Sequence, residues 1–275
     1  MTLLDAYTGG RWGELAGQTA EEYDALRRAI GVFKPLKEVE GRLFKGGVDV
    51  TELGSVTEMS TPGSRRRRTK RSARTKSPAG ERWVQLPPSI ASIYELLLAT
   101  SSRENSFAFL SLRGAPWYRS NFRQRFWRPA WDGVDVQNPG SDRYKPAILD
   151  GFRFHEGRHT HATWLTSDGI SEVGRRARLG QKMKGMARVY DHVTPEMEQQ
   201  ILDVLEARFV ASVLELTPDE RHKLLSWVPV IEPMLKKAVQ EAEQLAAKVV
   251  RAERFSQISP TGPSNENRPG GESAL

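Results

Sequence analysis

The segment His155-Glu-Gly-Arg-His-Thr-His-Ala-Thr-Trp-Leu165 carries side chains suited to phosphate chemistry. On a helix, His155 and Arg158 are three residues apart and face the same way. An arginine fork can clamp two phosphate oxygens, and an adjacent imidazole can exchange a proton near pH 7. Such a pair suits phosphoryl transfer without a metal, because guanidinium groups supply the charge stabilisation a metal ion would otherwise give. Taken alone it is an ordinary helix turn. The same residues also satisfy the His-Glu-x-x-His pattern of zinc metalloproteases through His155, Glu156 and His159, with Glu172 or Glu196 as a formal third ligand. That pattern is short, has Gly157 in mid-helix, and leaves the chain's other motifs unexplained.

Three further segments stand in order along the chain. Arg11 sits in Tyr-Thr-Gly-Gly-Arg-Trp-Gly-Glu-Leu, where glycines let backbone approach a ligand closely. Its bland alternative is an ion pair with Glu14. Leu179-Gly180-Gln181 follows the His155 segment, and Tyr190 follows nine residues later in Ala-Arg-Val-Tyr-Asp-His-Val-Thr-Pro-Glu-Met. A tyrosine on such a helix ordinarily serves as half-buried packing.

From about Leu3 to Met197 the chain resembles the tyrosine recombinases, the phage integrases among them. Thr8-Gly-Gly-Arg-Trp-Gly-Glu-Leu15 is similar to that family's first-arginine motif, and the His155 segment to its His-x-x-Arg motif. Arg178-Leu-Gly-Gln181 through Met197 resembles the stretch from its Leu-Gly-His to the nucleophilic tyrosine. Lys76, before Arg82-Trp-Val-Gln-Leu-Pro87, matches its hairpin lysine in spacing.

The resemblance implies a DNA strand-transferring enzyme that forms a 3′-phosphotyrosyl link through Tyr190 and needs no cofactor. Arg11 and Arg158 would hold the scissile phosphate, Lys76 would protonate the leaving 5′-oxygen, and His155 would accept the tyrosine proton or bind phosphate. It also implies partners: double-stranded DNA carrying specific recombination sites, and further copies of the chain in a tetramer on DNA. Gln181 stands where the family has histidine or sometimes tryptophan; its amide can donate a hydrogen bond but cannot carry a proton. The chain begins almost at the Arg11 motif, so the family's N-terminal DNA-clamping domain is expected to be absent from this sequence. A non-catalytic DNA-binding remnant is the second reading.

Charge points to the same class of partner. The formal net charge is +7, yet Arg65, Arg66, Arg67, Arg68, Lys70, Arg71, Arg74 and Lys76 alone contribute eight positive charges, so the rest of the chain sits at −1. This basic loop, 62–76, is either a solvated loop or a phosphate-tracking element whose binding would depend strongly on salt. From Thr194 to Leu275 there are 13 acidic and 9 basic side chains, a balance better suited to protein contact than to DNA. The chain has no cysteine, which excludes disulfides, thiolate nucleophiles and cysteine-based zinc sites and fits a reducing cytoplasm, here near the nucleoid. No stretch approaches the roughly 18 apolar residues of a membrane span, and the first residues lack the pattern of a secretory signal.

The expected fold class is α+β, mostly α-helical: a tyrosine-recombinase-like catalytic domain with a small β-sheet or hairpin and a helical C-terminal extension. The expected divisions are 1–197, 198–258 and a disordered tail at 259–275. Helices are expected from Leu3 to Ala16, interrupted at Gly9-Gly10, and from Ala20 to Phe33, stopped by Pro35. Short strands are expected around Val39, Leu43, Val48 and Val50, and a hairpin with Lys76 near its tip leads into the strand at Trp83. Ser89 is expected to cap the next helix. Helices follow over Tyr118–Trp131, His155–Ser167, Ser171–Leu179, Met186–His192, Thr194–Leu214, from Thr217, and over Met234–Phe255.

Overall fold

The computed structural model describes residues 1–51, 80–100, 107–111, 113–182, 193–241, 244 and 248. Lys76, Tyr190, the run from Arg65 to Arg74, the helix expected at Met186–His192 and the tail at 259–275 lie outside them. The chain divides into two compact units, Met1–Glu232 and Pro233–Leu275. In the second, residues 233–241 are helical.

The first unit is α+β and mostly helical, as its sequence suggests. Helix α1 (Thr2–Thr8) ends on Gly9, whose φ of 61° is left-handed. After Gly10 and Arg11, α2 (Trp12–Ala16) begins, so the Gly-Gly interruption is real. The helix expected at Ala20–Phe33 is instead one turn of 3₁₀ helix (Ala20–Glu22) and a β-hairpin of β1 (Tyr23–Asp24) and β2 (Ala29–Val32). Two local forces override the helical reading. The Asp24 carboxylate accepts from the backbone N–H groups of Leu26 and Arg27, both at 3.0 Å, closing a turn that Arg28 completes with φ of 50°. Ala-Ile-Gly-Val is also buried on both faces, which suits a central strand.

On its other side β2 pairs antiparallel with β6 (Arg82–Gln85), Ile30 opposite Val84. The strand expected at Trp83 is therefore present, but its partner among the described residues is this distant segment; a local hairpin turn would fall on undescribed ones. Between them lies a second sheet, β3 (Leu36–Val39), β4 (Arg42–Lys45) and β5 (Val48–Asp49). Its two-residue turns, Glu40-Gly41 and Gly46-Gly47, all have positive φ, the geometry that matches strand twist. This sheet rests on α2, with Ala16, Leu36, Leu43, Val50 and Phe107 forming a buried cluster.

Helix α3 (Pro88–Thr100) starts two residues earlier than a cap at Ser89 implies. Ser89 is not its cap but sits in its first turn, its N–H donating to Glu206 at 3.0 Å and its hydroxyl to the same carboxylate. Helices α4 (Arg119–Phe122) and α5 (Arg128–Trp131) are continuous through a π turn at Arg123–Trp127. There follow α6 (Phe154–Ser167), α7 (Glu172–Leu179), capped by Ser171 and closed by left-handed Gly180, α8 (Pro195–Leu214), capped by Thr194, and α9 (Pro218–Trp227). Ile201, Leu205, Phe209 and Val213, one turn apart, are the buried stripe of α8. This helix runs through position 197, where the sequence suggested a division, and the first unit extends beyond it to Glu232.

Helices α1 and α6 pack closely enough to exclude a methyl group between them. At Gly157 an added Cβ would stand 2.0 Å from the Asp5 carboxylate. Asp5 is itself buried, and burial raises its pKa to about 8, so it is protonated at neutral pH. Gly157→Ala should lower the unfolding free energy by about 1–3 kcal/mol, as overpacking does. Helix propensity alone favours alanine by about 1 kcal/mol, so urea denaturation showing a more stable variant would contradict this packing.

Candidate active site

Arg11 follows α1 in the turn to α2, where Glu14 holds it twice over. The Glu14 carboxylate accepts from the Arg11 backbone N–H at 3.0 Å and from its Nη1 at 2.7 Å. The ion pair that competes with phosphate binding is thus present, yet the Arg11 side chain stays 49% exposed. Glu14 is buried and also takes Arg82 Nη2 at 3.2 Å. Burial pushes its pKa up, but Arg82 and Arg11 overcome this and keep the carboxyl below its ordinary value.

Arg158 is buried, and its fork spans two chain segments: Nη1 donates to Gly9 O and Nη2 to Leu179 O, each at 2.6 Å. One bond fixes the end of α1 just before Arg11; the other fixes the end of α7 just before Gln181. Burial, and then Arg11, lower its pKa to about 10. Two named bonds leave three of its five N–H donors for other acceptors.

Arg178 is buried as well. Its Nη2 donates to Tyr7 O at 2.9 Å and Gln85 O at 3.0 Å, and its Nε to His161 Nε2 at 3.2 Å. Burial, then Arg82, lower its pKa to about 9. Because Nε2 accepts, the His161 proton sits on Nδ1 and faces Ala6 O at 2.8 Å. Arg82 completes the set, its Nε donating to Arg178 O at 2.7 Å. Arginines from β6, α6 and α7 thus bind the segments that carry Arg11 and Gln181 largely through backbone carbonyls.

A cleft of about 640 Å³ is lined by Arg11, Arg119, Arg153, His155, Glu156 and His159, with Trp12, Gly13 and Phe154. His155 is exposed there, and its pKa is lowered by partial burial and by His159, Arg158, Arg11 and Arg119. The His155 and His159 rings lie edge to face, 5.1 Å apart. Glu156 is occupied: its carboxylate accepts the Arg153 backbone N–H at the start of α6. Such an opening favours an anion, since arginines and a helix N-terminus converge on it.

Of the residues singled out from sequence, the described structure therefore gathers Arg11, His155 and Arg158. Gln181 is exposed just beyond Gly180, its N–H closing the end of α7 on Arg176 O at 2.8 Å. Sequence reasoning passed over Glu14 except as a rival partner and His159 except as a zinc ligand, and assigned no role to Arg82, Arg178, Arg119 or Arg153. Arg119 and Arg153 had a signal, as basic residues flanking aromatic runs. Arg82 and Arg178 had none, since burial of an arginine cannot be read from its neighbours in sequence.

No family model matches the chain, and no curated protein does either. Among solved structures, the Tn1549 transposon integrase in complex with circular intermediate DNA aligns at 18% identity and a TM-score of 0.45, over 74% of this chain and 57% of that one. The same integrase with transposon right end DNA aligns at 18% identity and 0.45, over 78% and 58%. The chain thus spans less than two thirds of those chains. Among the described residues no helix is long and apolar enough to cross a membrane, and no group of three potential metal ligands occurs.

The buried His161 carries a pH dependence. Burial and Arg178 hold its pKa well below the ordinary imidazole value of 6.5. Below pH 6.5 the unfolded chain takes up a proton that the folded chain refuses, so this group's stability contribution falls on acidification, by up to about 1.4 kcal/mol per pH unit. Asp5 works in the opposite direction between its two pKa values. The test is therefore the difference between wild type and His161→Gln in urea denaturation: it should shrink from pH 7 to pH 5, and a constant difference would show that His161 is not the buried neutral acceptor.

Proposed function

We propose that this chain cleaves and rejoins DNA through a covalent 3′-phosphotyrosyl intermediate on Tyr190, as a site-specific recombinase. The observation that carries the reading is the convergence of Arg11 and His155 on one cleft, with Arg158 bonded to Gly9 O two residues before Arg11, since these come from distant segments whose order matches the resemblance. In the proposed step the Tyr190 oxygen attacks phosphorus and the bond to the 5′-oxygen breaks. His155 takes the phenol proton, and Lys76 gives one to the departing 5′-oxygen. Arg11 and Arg158 offset the charge that builds on the phosphoryl oxygens, and Gln181 can donate one further hydrogen bond. Attack by a 5′-hydroxyl reverses the step, so the covalent link conserves the bond and the reaction needs neither ATP nor a cofactor.

Residues 1–197 would form the catalytic part. Double-stranded DNA would be gripped by Arg65, Arg66, Arg67, Arg68, Lys70, Arg71 and Arg74, with assembly into a tetramer through the acidic helices of the 198–258 extension, in the cytoplasm at the nucleoid. The zinc reading fares worse. A dication between His155 and His159 would sit among Arg11, Arg119 and Arg153, and Glu156 is engaged with backbone. The remnant reading differs only in lacking the covalent step.

A nicked duplex library tests the choice: cleavage beside the nick releases a short fragment, so the phosphotyrosyl adduct accumulates and its DNA can be sequenced. Wild type should yield the adduct and Tyr190→Phe none, while Arg11→Ala should slow its formation about 10²–10³-fold. Duplex binding with no adduct from wild type would leave the remnant. Serine at Arg65, Arg66, Arg67 and Arg68 should flatten the fall of log affinity with log salt by about 0.9 for each phosphate no longer neutralised; an unchanged slope would return that run to a solvated loop.

A further inference from the structure

Beside the arginine–histidine cleft lies a second opening of about 490 Å³, and the two share Trp12, Arg119, Arg153 and Phe154. Its remaining walls come from Phe122 and Trp127 on the α4–α5 helix, with Arg123 and Ser120 at its rim and Glu38 of β3 opposite. Part of this is plain core. Trp127 and Phe154 are buried, their ring centroids 4.9 Å apart, and Trp127 Nε1 donates to Phe152 O at 2.8 Å. Core packing accounts only in part for Trp12, which also lies against the Leu36–Phe107 cluster and Phe154, and for Phe122, which also lies against Trp127; the two meet at 5.0 Å and remain half-buried at the opening. It does not account for Arg119, Arg123 and Arg153, all exposed around the same aromatic floor. Three guanidinium groups against one carboxylate select an anion, whereas the aromatic floor selects a flat apolar body. A nucleotide combines the two, and the volume falls in the range of small-ligand sites.

We propose that this opening receives one unstacked nucleobase of the DNA strand whose phosphate occupies the adjoining cleft. Arg119 and Arg153, common to both openings, hold phosphates on either side of that nucleotide. Its base lies against Trp12 and Phe122. The Glu38 carboxylate accepts from an exocyclic amine, which adenine, cytosine and guanine possess and thymine lacks. The inference rests on the recombinase reading for its source of DNA, but it assigns a base-binding pocket that the strand-transfer chemistry does not require.

Photocrosslinking separates the two ideas. The captured site, or a duplex enriched by binding where no adduct forms, is synthesised with a nick and with 5-iodocytosine placed at each position in turn, irradiated with the full-length chain, and the crosslinked peptide identified by mass spectrometry. The expected result is crosslinking to Trp12 or Phe122 from one or two adjacent positions next to the cleavage site. Phe122→Leu, first shown to keep the wild-type thermal midpoint, should weaken DNA binding about 5- to 150-fold, the range for losing one base–aromatic stack. Glu38→Gln should narrow the preference for cytosine over thymine at that position. A Tyr190 adduct with crosslinks only elsewhere would overturn the pocket and leave the recombinase standing. A crosslink at Trp12 or Phe122 on a bound duplex that yields no adduct would support the pocket and remove the enzyme. Neither adduct nor crosslink would overturn both.

Discussion

The Arg158 guanidinium ties together two helix ends that Arg178, through Tyr7 O, also holds close. Its fork holds the carbonyl of Gly9, where α1 stops, and that of Leu179, where α7 stops. Each carbonyl belongs to a helix C-terminus, whose last groups have lost their intrahelical partners and carry partial negative charge. A buried cation bonded to both satisfies them and lowers its own desolvation cost. Arg11, His155 and Gln181 each sit within three residues of one of these anchors or of Arg158 itself.

Around that anchor the protein tolerates an unusual concentration of positive charge. Arg158, Arg178 and Arg82 are all largely buried, with Glu14 as the carboxylate shared by Arg82 and Arg11. Most of the compensation comes from neutral carbonyl oxygens and from His161, so the cluster remains electropositive and its guanidinium pKa values fall. Removing one partner from such an arrangement generally costs about 3–5 kcal/mol, because the other is left buried and unpaired. A phosphate arriving at the cleft would supply charge that the protein withholds. Asp5, buried and protonated beside Gly157, adds little opposing charge.

The second opening extends this logic away from the anchor. The continuous α4–α5 helix brings Arg119, Phe122 and Arg123 to one opening with Trp12 of α2 and Glu38 of β3, so guanidinium groups and aromatic rings adjoin there. The glycines at Gly13 and Gly17 make this possible. Side chains at either position would collide with the backbone of Leu36 and push the sheet off α2.

Much of this was legible in the sequence, where local chemistry decides. The Gly-Gly stop after α1, the Ser171 and Thr194 caps, the glycine end of α7 and the alternating strands of the second sheet are each set by a few neighbouring residues. Arg11, His155 and Arg158 were likewise identifiable, because their spacing and order carry a chemical meaning. Only the tertiary structure decided the segment from Ala20 to Phe33, whose composition allows a helix but whose Ala-Ile-Gly-Val core is recruited by a strand some fifty residues downstream. It alone also decided which arginines lie inside. Burial of a charge depends on carbonyls from remote helix ends arriving at the right distance, and no short stretch of sequence encodes that arrival.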